Sequence, residues 1–205
     1  MTETTRRLLA CARAIASLKP GEIDRAELAA LATEQFDKGA TRTSHQDWTL
    51  PVLDSCVYPG DTLLHIAAAA HDPITAKALL AAKANVRAKN RLGAEPLHAA
   101  AMGVPGSPHW RPAGQAETIR VLIAGGADPN ALNKLGVSPL HRAVRCRCSE
   151  AVKILLESGA EPAMPNRHGS TPLDLAKIPT GRGGSGSPAA KKEQAVILAL
   201  LSGRT

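Results

Sequence analysis

Apolar residues follow a helical spacing in paired segments that recur along the chain from residue 60 onward. The first block of each pair reads GDTLLHIAA from Gly60, GAEPLHAAA from Gly93, GVSPLHRAV from Gly136 and GSTPLDLAK from Gly169. The second block reads AKALLAAKANVRA from Ala76, IRVLIAGGADPNA from Ile119, VKILLESGAEPAM from Val152 and AVILALLSG from Ala195. The pattern predicts units of helix, short connection, helix and turn. Because such a unit cannot bury its apolar stripe alone, the units should stack into one continuous core.

The repeat period is interrupted once. The four opening glycines are spaced by 33, 43 and 33 residues, so the second unit is ten residues too long. The excess falls in GVPGSPHWRPAG, from Gly103 to Gly114, whose three prolines predict a loop between the two helices. In the fourth unit IPTGRGGSGSPAAKKEQ, from Ile178 to Gln194, has the composition of a flexible linker. Its glycines lack the order of a phosphate-binding loop.

Local residues specify where the first helices begin. Thr62, Ser138 and Thr171 are N-cap residues that can accept hydrogen bonds from first-turn amides. In three units proline follows the N-cap, at the first helical position, where no amide partner is lost; these residues are Pro96, Pro139 and Pro172.

Residues 1–59 lack the repeated block. Two amphipathic segments, TTRRLLACARAIASL and IDRAELAALATEQFDKG, are joined by the turn KPGE and predict an antiparallel helix pair. Such a pair would cap the open side of the first unit. Residues 39–59 are interpreted as an extended connection whose apolar residues pack along the stack, namely Trp48, Leu50, Val52 and Leu53, with Tyr58 near the first turn. A degenerate additional repeat is the alternative.

These motifs resemble the ankyrin repeat family. The resemblance rests on the Gly-x-Thr-Pro-Leu-His-x-Ala-Ala opening, the Gly-Ala-Asp-x-Asn turn at 126–130 and the 33-residue period, and it covers residues 60–203. It implies an all-α, ankyrin-repeat solenoid of stacked helix-turn-helix units with β-turn fingers, here with an N-terminal helical cap. Leu63, Glu95 and Asp174 depart from the pattern.

Three histidines recur one per unit at the same motif position, His65, His98 and His141. A metal site is a conceivable alternative, but these residues lie a full repeat apart. The resemblance implies that they serve the hydrogen bonding of the turns, since buried polar groups are normally paired.

Composition limits the remaining function classes. Aromatic residues make up 2% of the chain, so the core must consist mainly of Ala, Leu, Ile and Val, which favours closely packed helices. No run of 18 apolar residues occurs and Arg13 interrupts the apolar stretch near the N-terminus, so we expect a cytoplasmic protein. The abundance of Ala, Arg and Gly is compatible with a GC-rich bacterial genome. The spacing of Cys11, Cys56, Cys146 and Cys148 predicts free thiols, with Cys146 and Cys148 partly exposed and unreactive.

An enzyme is the alternative that uses these thiols. The best candidate nucleophile is Cys146 or Cys148, because the neighbouring arginines could lower a thiol pKa, and His109 or His168 is a possible base. The constellation is loose, and the Cys-x-Cys motif lacks a second ligand pair. We therefore predict a protein without catalytic residues, metal or cofactor.

Positive charge is concentrated in the repeats. The formal net charge is +7, with −1 in residues 1–59 and +8 in residues 60–205. Arg91, Lys134 and Arg167 occupy the same turn position in successive units, and since stacked helices lie about 8–10 Å apart, they should form a row. Five further cations could deepen the positive field, namely Arg87, Lys89, Arg142, Arg145 and Arg147.

The resemblance implies recognition of another protein through the turn tips and the exposed side of the first helices. It carries this role onto Arg91, Leu92, Met102, Lys134, Leu135, Arg145, Arg167 and His168. In the loop, Trp110 and Arg111 either anchor a partner, as Trp and Arg often do, or Trp110 folds back over a helix end.

The expected partner is an acidic protein, bound by a monomer acting as an inhibitor, immunity protein or scaffold. Nucleic acid is the rival partner, favoured by the basic stripe but without an aromatic ladder or a groove-binding motif. No basic amphipathic helix indicates membrane binding. A further alternative is a secreted host-directed effector, which would need a secretion route.

Overall fold

The fold is a stack of helix pairs. A computed structural model describes residues 48–50, 55–58, 60–107, 110–178 and 188–203. The predicted N-terminal helix pair, the loop residue His109 and most of the glycine-rich segment after Ile178 lie outside these residues. Before the helices, strands β1 (Trp48–Leu50) and β2 (Ser55–Val57) form an antiparallel pair in which Thr49 faces Cys56. The predicted extended connection therefore contains a short two-stranded sheet.

The first helices of the four units form an inner row and the second helices an outer row. The inner helices are α1 (Leu63–Ala69), α3 (Pro96–Ala100), α5 (Pro139–Arg145) and α7 (Pro172–Lys177). The outer helices are α2 (Pro73–Ala81), α4 (Pro112–Ala124), α6 (Ser149–Glu157) and α8 (Pro188–Ser202). Each helix packs against its partner in the unit and against the equivalent helix of the next unit. This arrangement confirms the predicted helical solenoid.

Aliphatic residues at equivalent positions build the core. In the inner row Leu64, Leu97 and Leu140 are each at most 1% exposed, and in the outer row Leu79, Leu122, Leu155 and Leu201 are equally buried. One apolar cluster joins these residues from the first unit to the fourth. Because each unit covers the apolar stripe of its neighbour, stacking rather than any single unit buries the core.

The helix starts agree with the sequence motifs. Pro96, Pro139 and Pro172 each begin a helix. The hydroxyls of Ser138 and Thr171 accept hydrogen bonds from the amides of His141 (3.3 Å) and Asp174 (3.2 Å). The Thr62 hydroxyl instead lies 3.0 Å from Nδ1 of His65.

Each repeated histidine joins its unit to the next. Nδ1 of His98 accepts the Glu95 amide at 3.1 Å, and Nε2 lies 3.0 Å from the Val137 carbonyl of the following unit. His65 and His141 make the equivalent bonds to the carbonyls of Ala94 and Ser170. Burial is the main cause that lowers the pKa of all three imidazoles, to about 3 for His98. The prediction of a role in turn hydrogen bonding is confirmed.

Both interrupted units differ from the prediction at the start of the second helix. The loop was expected to reach Gly114, but α4 already begins at Pro112, and α8 begins at Pro188 rather than Ala195. Proline is favoured at the first helical position because its fixed φ suits a helix and its missing amide has no partner there. Pro112 therefore starts a helix instead of breaking one. The outer helix of the second unit has 13 residues, compared with nine in α2 and α6.

Candidate partner-binding surface

The turn tips between units share one conformation, set by an asparagine. In the second tip the Asn133 side-chain oxygen accepts the amides of Leu135 (2.9 Å) and Val137 (3.0 Å), and the Asn133 amide donates to the Val137 carbonyl. Asn90 and Asn166 make the same bonds in the tips before and after it. The repeated asparagine is visible in the sequence, and it gives the three tips equal geometry.

Backbone hydrogen bonds hold neighbouring tips side by side. The Lys134 amide donates to the Leu92 carbonyl at 3.0 Å, and the Arg167 amide donates to the Leu135 carbonyl at 3.1 Å. Gly136 adopts a φ of +68°, and a Cβ there would lie 2.9 Å from the Arg167 nitrogen. Glycine therefore permits the close approach that fixes the spacing of the tips.

These bonds place Arg91, Lys134 and Arg167 in neighbouring tips at equivalent positions. Lys134 and Arg167 are exposed, whereas Arg91 is half-buried with its guanidinium 5.8 Å from the centre of the Tyr58 ring. The remaining tip residues proposed from the sequence are half-buried Leu92 and the exposed Leu135 and His168. Met102 and Arg145 lie at the ends of the inner helices, half-buried and exposed respectively.

Two of the expected additional cations are balanced by acidic groups. Arg87 lies 3.3 Å from the Asp128 carboxylate and 3.7 Å from that of Glu95, and Lys89 Nζ is 3.9 Å from Glu95. Glu95 is 1% exposed, and within the described part of the chain its carboxylate oxygens accept no hydrogen bond of normal length. Burial is the main cause that raises the Glu95 pKa, opposed by Arg87 and Lys89. Arg87 and Lys89 thus contribute less to the field than their charges suggest.

Arg147, expected to deepen the positive field beside the tip row, is instead buried. It is 2% exposed, with a φ of +62°, in the turn between α5 and α6. Its guanidinium donates to the carbonyls of Ala176 and Ile178 in the next unit. A long side chain can reach carbonyls at a helix end, and Arg147 consequently joins two units instead of facing a partner.

Trp110 is positioned by contacts within the stack. Its indole Nε1 donates to the Gln115 side-chain oxygen at 3.1 Å, and the ring packs against the core close to Gly103. This geometry favours the interpretation in which Trp110 folds back over a helix end. Arg111 is exposed at the N-cap of α4 and remains available to a partner.

The two thiols lie in an environment that disfavours thiolate. Cys148 is fully buried, contrary to the expected partial exposure, and Cys146 is half-buried. Burial raises the pKa of the Cys146 thiol and raises that of Cys148 further. Since the thiolate is the reactive form, neither site has the electrostatics of an activated nucleophile. Among the described residues no group of three or more His, Cys, Asp or Glu side chains is arranged to hold a metal ion.

Sequence reasoning missed two features of the surface. The first is a pair of exposed apolar residues: Leu132, just before the second tip, is 42% exposed, and Ile178, at the end of the last inner helix, is 46% exposed. The outer helices carry their own basic residues at one register position, the exposed Lys77, Arg120 and Lys153. Counting positions from the opening glycine of each unit, with the insertion removed, would have found both.

The geometry defines a helical-repeat solenoid with turn fingers along one edge. Models of the family described as ankyrin repeat match residues 59–91 and 92–134, and a model described as ankyrin repeats (many copies) matches residues 122–176. Together these matches span residues 59–176, more than half of the chain. The chain belongs to the ankyrin repeat family. No curated protein was found to match it.

Ankyrin repeats are generally protein–protein interaction modules and typically bind without catalysing a reaction. None of the helices within the described ranges is both long and apolar enough to cross a membrane.

Proposed function

We propose that this chain is a non-catalytic module that binds an acidic protein through its turn tips and the exposed ends of its inner helices. The observation that carries the proposal is the row formed by Arg91, Lys134 and Arg167 in neighbouring tips. Backbone bonds between the tips fix this row before a partner arrives. A pre-formed backbone loses little conformational entropy on binding, so more of the interaction free energy appears as affinity.

Apolar residues beside the row add contact area. Leu135, between Lys134 and the next tip, is 54% exposed, and Leu92 is its half-buried equivalent. Charges steer the encounter and select the partner, while buried apolar contacts supply most of the affinity. The preferred partner therefore carries acidic side chains around apolar ones. Inhibition, immunity to a toxin or scaffolding are outcomes that this surface can serve.

Affinity capture from native lysate tests the proposal. The tip variant carries Arg91→Glu, Lys134→Glu and Arg167→Glu. The matched control carries Lys77→Glu, Arg120→Glu and Lys153→Glu, which reverses the same number of exposed cations at one register position on the outer helices. We expect one protein to be retained by the wild type and by the control and lost by the tip variant, with helical circular dichroism and the unfolding midpoint preserved.

Three results would contradict the proposal. Retention of the protein by the tip variant would make the row ordinary solvated surface. Loss in the control alone would move the interface to the outer helices. Recovery of nucleic acid that salt releases would favour the alternative of a nucleic-acid-binding protein, because phosphate contacts weaken steeply with ionic strength.

A further inference from the structure

Arg142 is the only charged residue at its position in the repeat. It directly follows the motif histidine on α5, where the other three units carry Ile66, Ala99 and Leu175. Apolar or small residues thus suit the packing at this point of the inner helix. A cation there has no evident role in building the stack.

The Arg142 guanidinium has an unusually poor set of partners. Nη1 lies against the Met102 thioether sulfur, and this is the only hydrogen-bond contact of the guanidinium with the described residues, to none of which it is ion-paired. A guanidinium has five N–H donors, and a thioether is a weak acceptor. The group is also half-buried, and burial is the main cause that lowers the Arg142 pKa. Desolvated charges are normally paired, and among the described residues no carboxylate contacts this guanidinium.

The nearest described carboxylate does not contact the guanidinium. Asp61 stabilises the Arg142 charge from a distance, without an ion pair or hydrogen bond between the two side chains, and its oxygens accept the Asn90 side-chain amide (2.8 Å) and the Tyr58 amide (2.6 Å). His65 and His98, which also lie within electrostatic range, are neutral near pH 7 because their pKa values are lowered. Tyr58 and Cys146 would favour the charged form of Arg142 only when they are themselves deprotonated, a state that burial disfavours for Cys146, and Arg145 opposes the charged form.

The site lies on the proposed interaction surface. Met102, which contacts Arg142, and Arg145, one helical turn along α5, are both residues of that surface. We propose that Arg142 recognises a carboxylate: an Asp or Glu side chain of the acidic protein partner binds the guanidinium fork and replaces the Met102 thioether. This inference rests on the proposed function, and it adds one specific contact to a general positive field. Planar bidentate geometry makes arginine better than lysine for such a contact.

A defined peptide tests the inference without the natural partner. The probe is a fluorescein-labelled decaglutamate peptide with blocked ends, measured by anisotropy at about 0.15 M salt, where long-range attraction is screened beyond roughly 8 Å. The variants are Arg142→Gln and Arg142→Lys. Arg120→Lys on α4, an exposed residue paired with Glu117 at 3.4 Å, is the control. Urea unfolding confirms that each variant is folded.

We expect both Arg142 variants to bind decaglutamate about tenfold more weakly, which corresponds to roughly 1.4 kcal/mol, and the control to bind as the wild type does. The lysine variant decides the question because it keeps the charge and loses the fork. Wild-type affinity in Arg142→Lys would overturn the inference. If the tip variant then still lost the peptide, the proposed function would stand without this site.

Other outcomes also overturn the inference. Failure of the wild type to bind decaglutamate would remove the Arg142 site but not the proposed function, which relies on apolar contacts that this peptide lacks. Binding that is unaffected by the tip variant and by Arg142→Lys alike would remove both the site and the tip row. Tighter binding of a ten-nucleotide oligothymidylate, with the same loss in Arg142→Lys, would assign the fork to phosphate and hence to nucleic acid.

Discussion

The regular units, first and third, and the interrupted units, second and fourth, close their inner helices in different ways. In the regular units three residues join the helices, and a backbone amide satisfies the inner-helix carbonyl: Asp72 donates to Ala67 and Cys148 donates to Ala143. In the interrupted units the equivalent carbonyls belong to Ala100 and Ala176. They accept side-chain amides instead, from Gln115 (3.0 Å) and Gln194 (2.8 Å).

Each regular unit is also bonded to the interrupted unit that follows it. Each regular unit has a turn residue with positive φ, His71 at +53° or Arg147 at +62°, which reaches the end of the next inner helix. His71 Nε2 bonds to the Met102 carbonyl at 2.7 Å, and Arg147 bonds to the Ile178 carbonyl. The stack therefore tolerates insertions where two side chains replace the backbone amide that otherwise bonds to the end of the inner helix. Helix-end carbonyls need donors from whatever source is available.

The largest expected effect comes from removing the glutamine that bonds to the end of the inner helix in the second unit. Gln115→Met keeps the approximate volume but removes the amide that bonds to the carbonyls of Ala100 and Met102, each at 3.0 Å. The Met102 carbonyl keeps its bond to His71, so the groups that lose their partner are the Ala100 carbonyl and the Trp110 indole, which donates to Gln115. We expect a loss of about 2–4 kcal/mol in the free energy of unfolding, since each unsatisfied buried polar group costs roughly 1–3 kcal/mol. Urea unfolding with a constant m-value measures it.

Gln194→Met is the matched change in the fourth unit. Gln194 is half-buried, and the Arg147 guanidinium still donates to the carbonyls of Ala176 and Ile178, so the effect should stay below about 1 kcal/mol. Equal losses in the two variants would contradict this explanation, because they would show that the Arg147 donors do not compensate for the lost amide.

A glycine pair separates backbone strain from contact between the tips. Gly136 and Gly169 both have positive φ, +68° and +77°, but a Cβ at Gly136 meets the Arg167 nitrogen at 2.9 Å and a Cβ at Gly169 meets nothing within 4 Å. Gly169→Ala should lose about 1–2 kcal/mol from backbone strain alone. Gly136→Ala should lose about 1–2 kcal/mol more, because the next tip must shift. Thermal and urea unfolding of both variants gives the difference, and identical losses would contradict close packing of the tips.

The sequence predicted the repeated elements well because each has a local cause. The inner-helix starts, the histidine bonds and the tip row follow from residues that recur at one register position. Pro112 and Pro188 were misjudged because a proline that begins a helix and one that prevents it have the same local signature. Only the stacking register places Gln115 and Gln194 at the position of the N-cap residues Asp72 and Cys148.

The burial of a charged side chain was the other feature that the sequence did not predict. Nothing local distinguishes Arg147, which is 2% exposed, from Arg145, which faces solvent two residues before it. The turn conformation that directs Arg147 inward depends on α5 and α6 meeting at a fixed distance. The spacing shows that Arg147 occupies the same position as His71. The two side chains are chemically different, however, and share only the ability to donate a hydrogen bond, so the shared position did not reveal their common role.

Acid should weaken the first three units through their histidines. The pKa of His98 is about 3 in the folded state and, because of burial, lies below the usual 6.5. Below pH 6.5 the unfolded chain therefore binds a proton that the folded chain does not, and stability falls as pH falls towards the folded pKa. His98 alone should remove about 1.4 kcal/mol between roughly pH 7.5 and 5.5. Urea unfolding across this range measures the slope.

His98→Gln is the reference for that slope. It retains Glu95, whose raised pKa acts in the opposite direction, so the difference between the two proteins isolates the imidazole. A slope that is equal in both proteins would mean that His98 takes up a proton in the folded state. The fourth unit is not expected to contribute this loss, because it carries Asp174 in place of the histidine.

The smallest expected effect is a gain at Glu95, the residue where the second unit departs from the Thr or Ser of the others. Its carboxylate is 1% exposed, accepts no hydrogen bond of normal length from the residues that the structure describes, and is compensated by Arg87 and Lys89 only from 3.7 and 3.9 Å. Glu95→Thr removes this buried charge and restores a capping hydroxyl, so unfolding should require about 1 kcal/mol more.

The pH dependence of that gain identifies its source. The Glu95 pKa is raised in the folded state, so the penalty exists above the unfolded pKa and disappears as protonation neutralises the folded carboxyl. The advantage of Glu95→Thr should therefore shrink as pH falls, and Glu95→Gln should reproduce the charge part without the cap. A gain that is independent of pH and absent from Glu95→Gln would assign the whole effect to capping. The interrupted second unit would then differ from the regular ones in its helix start as well as in its closure.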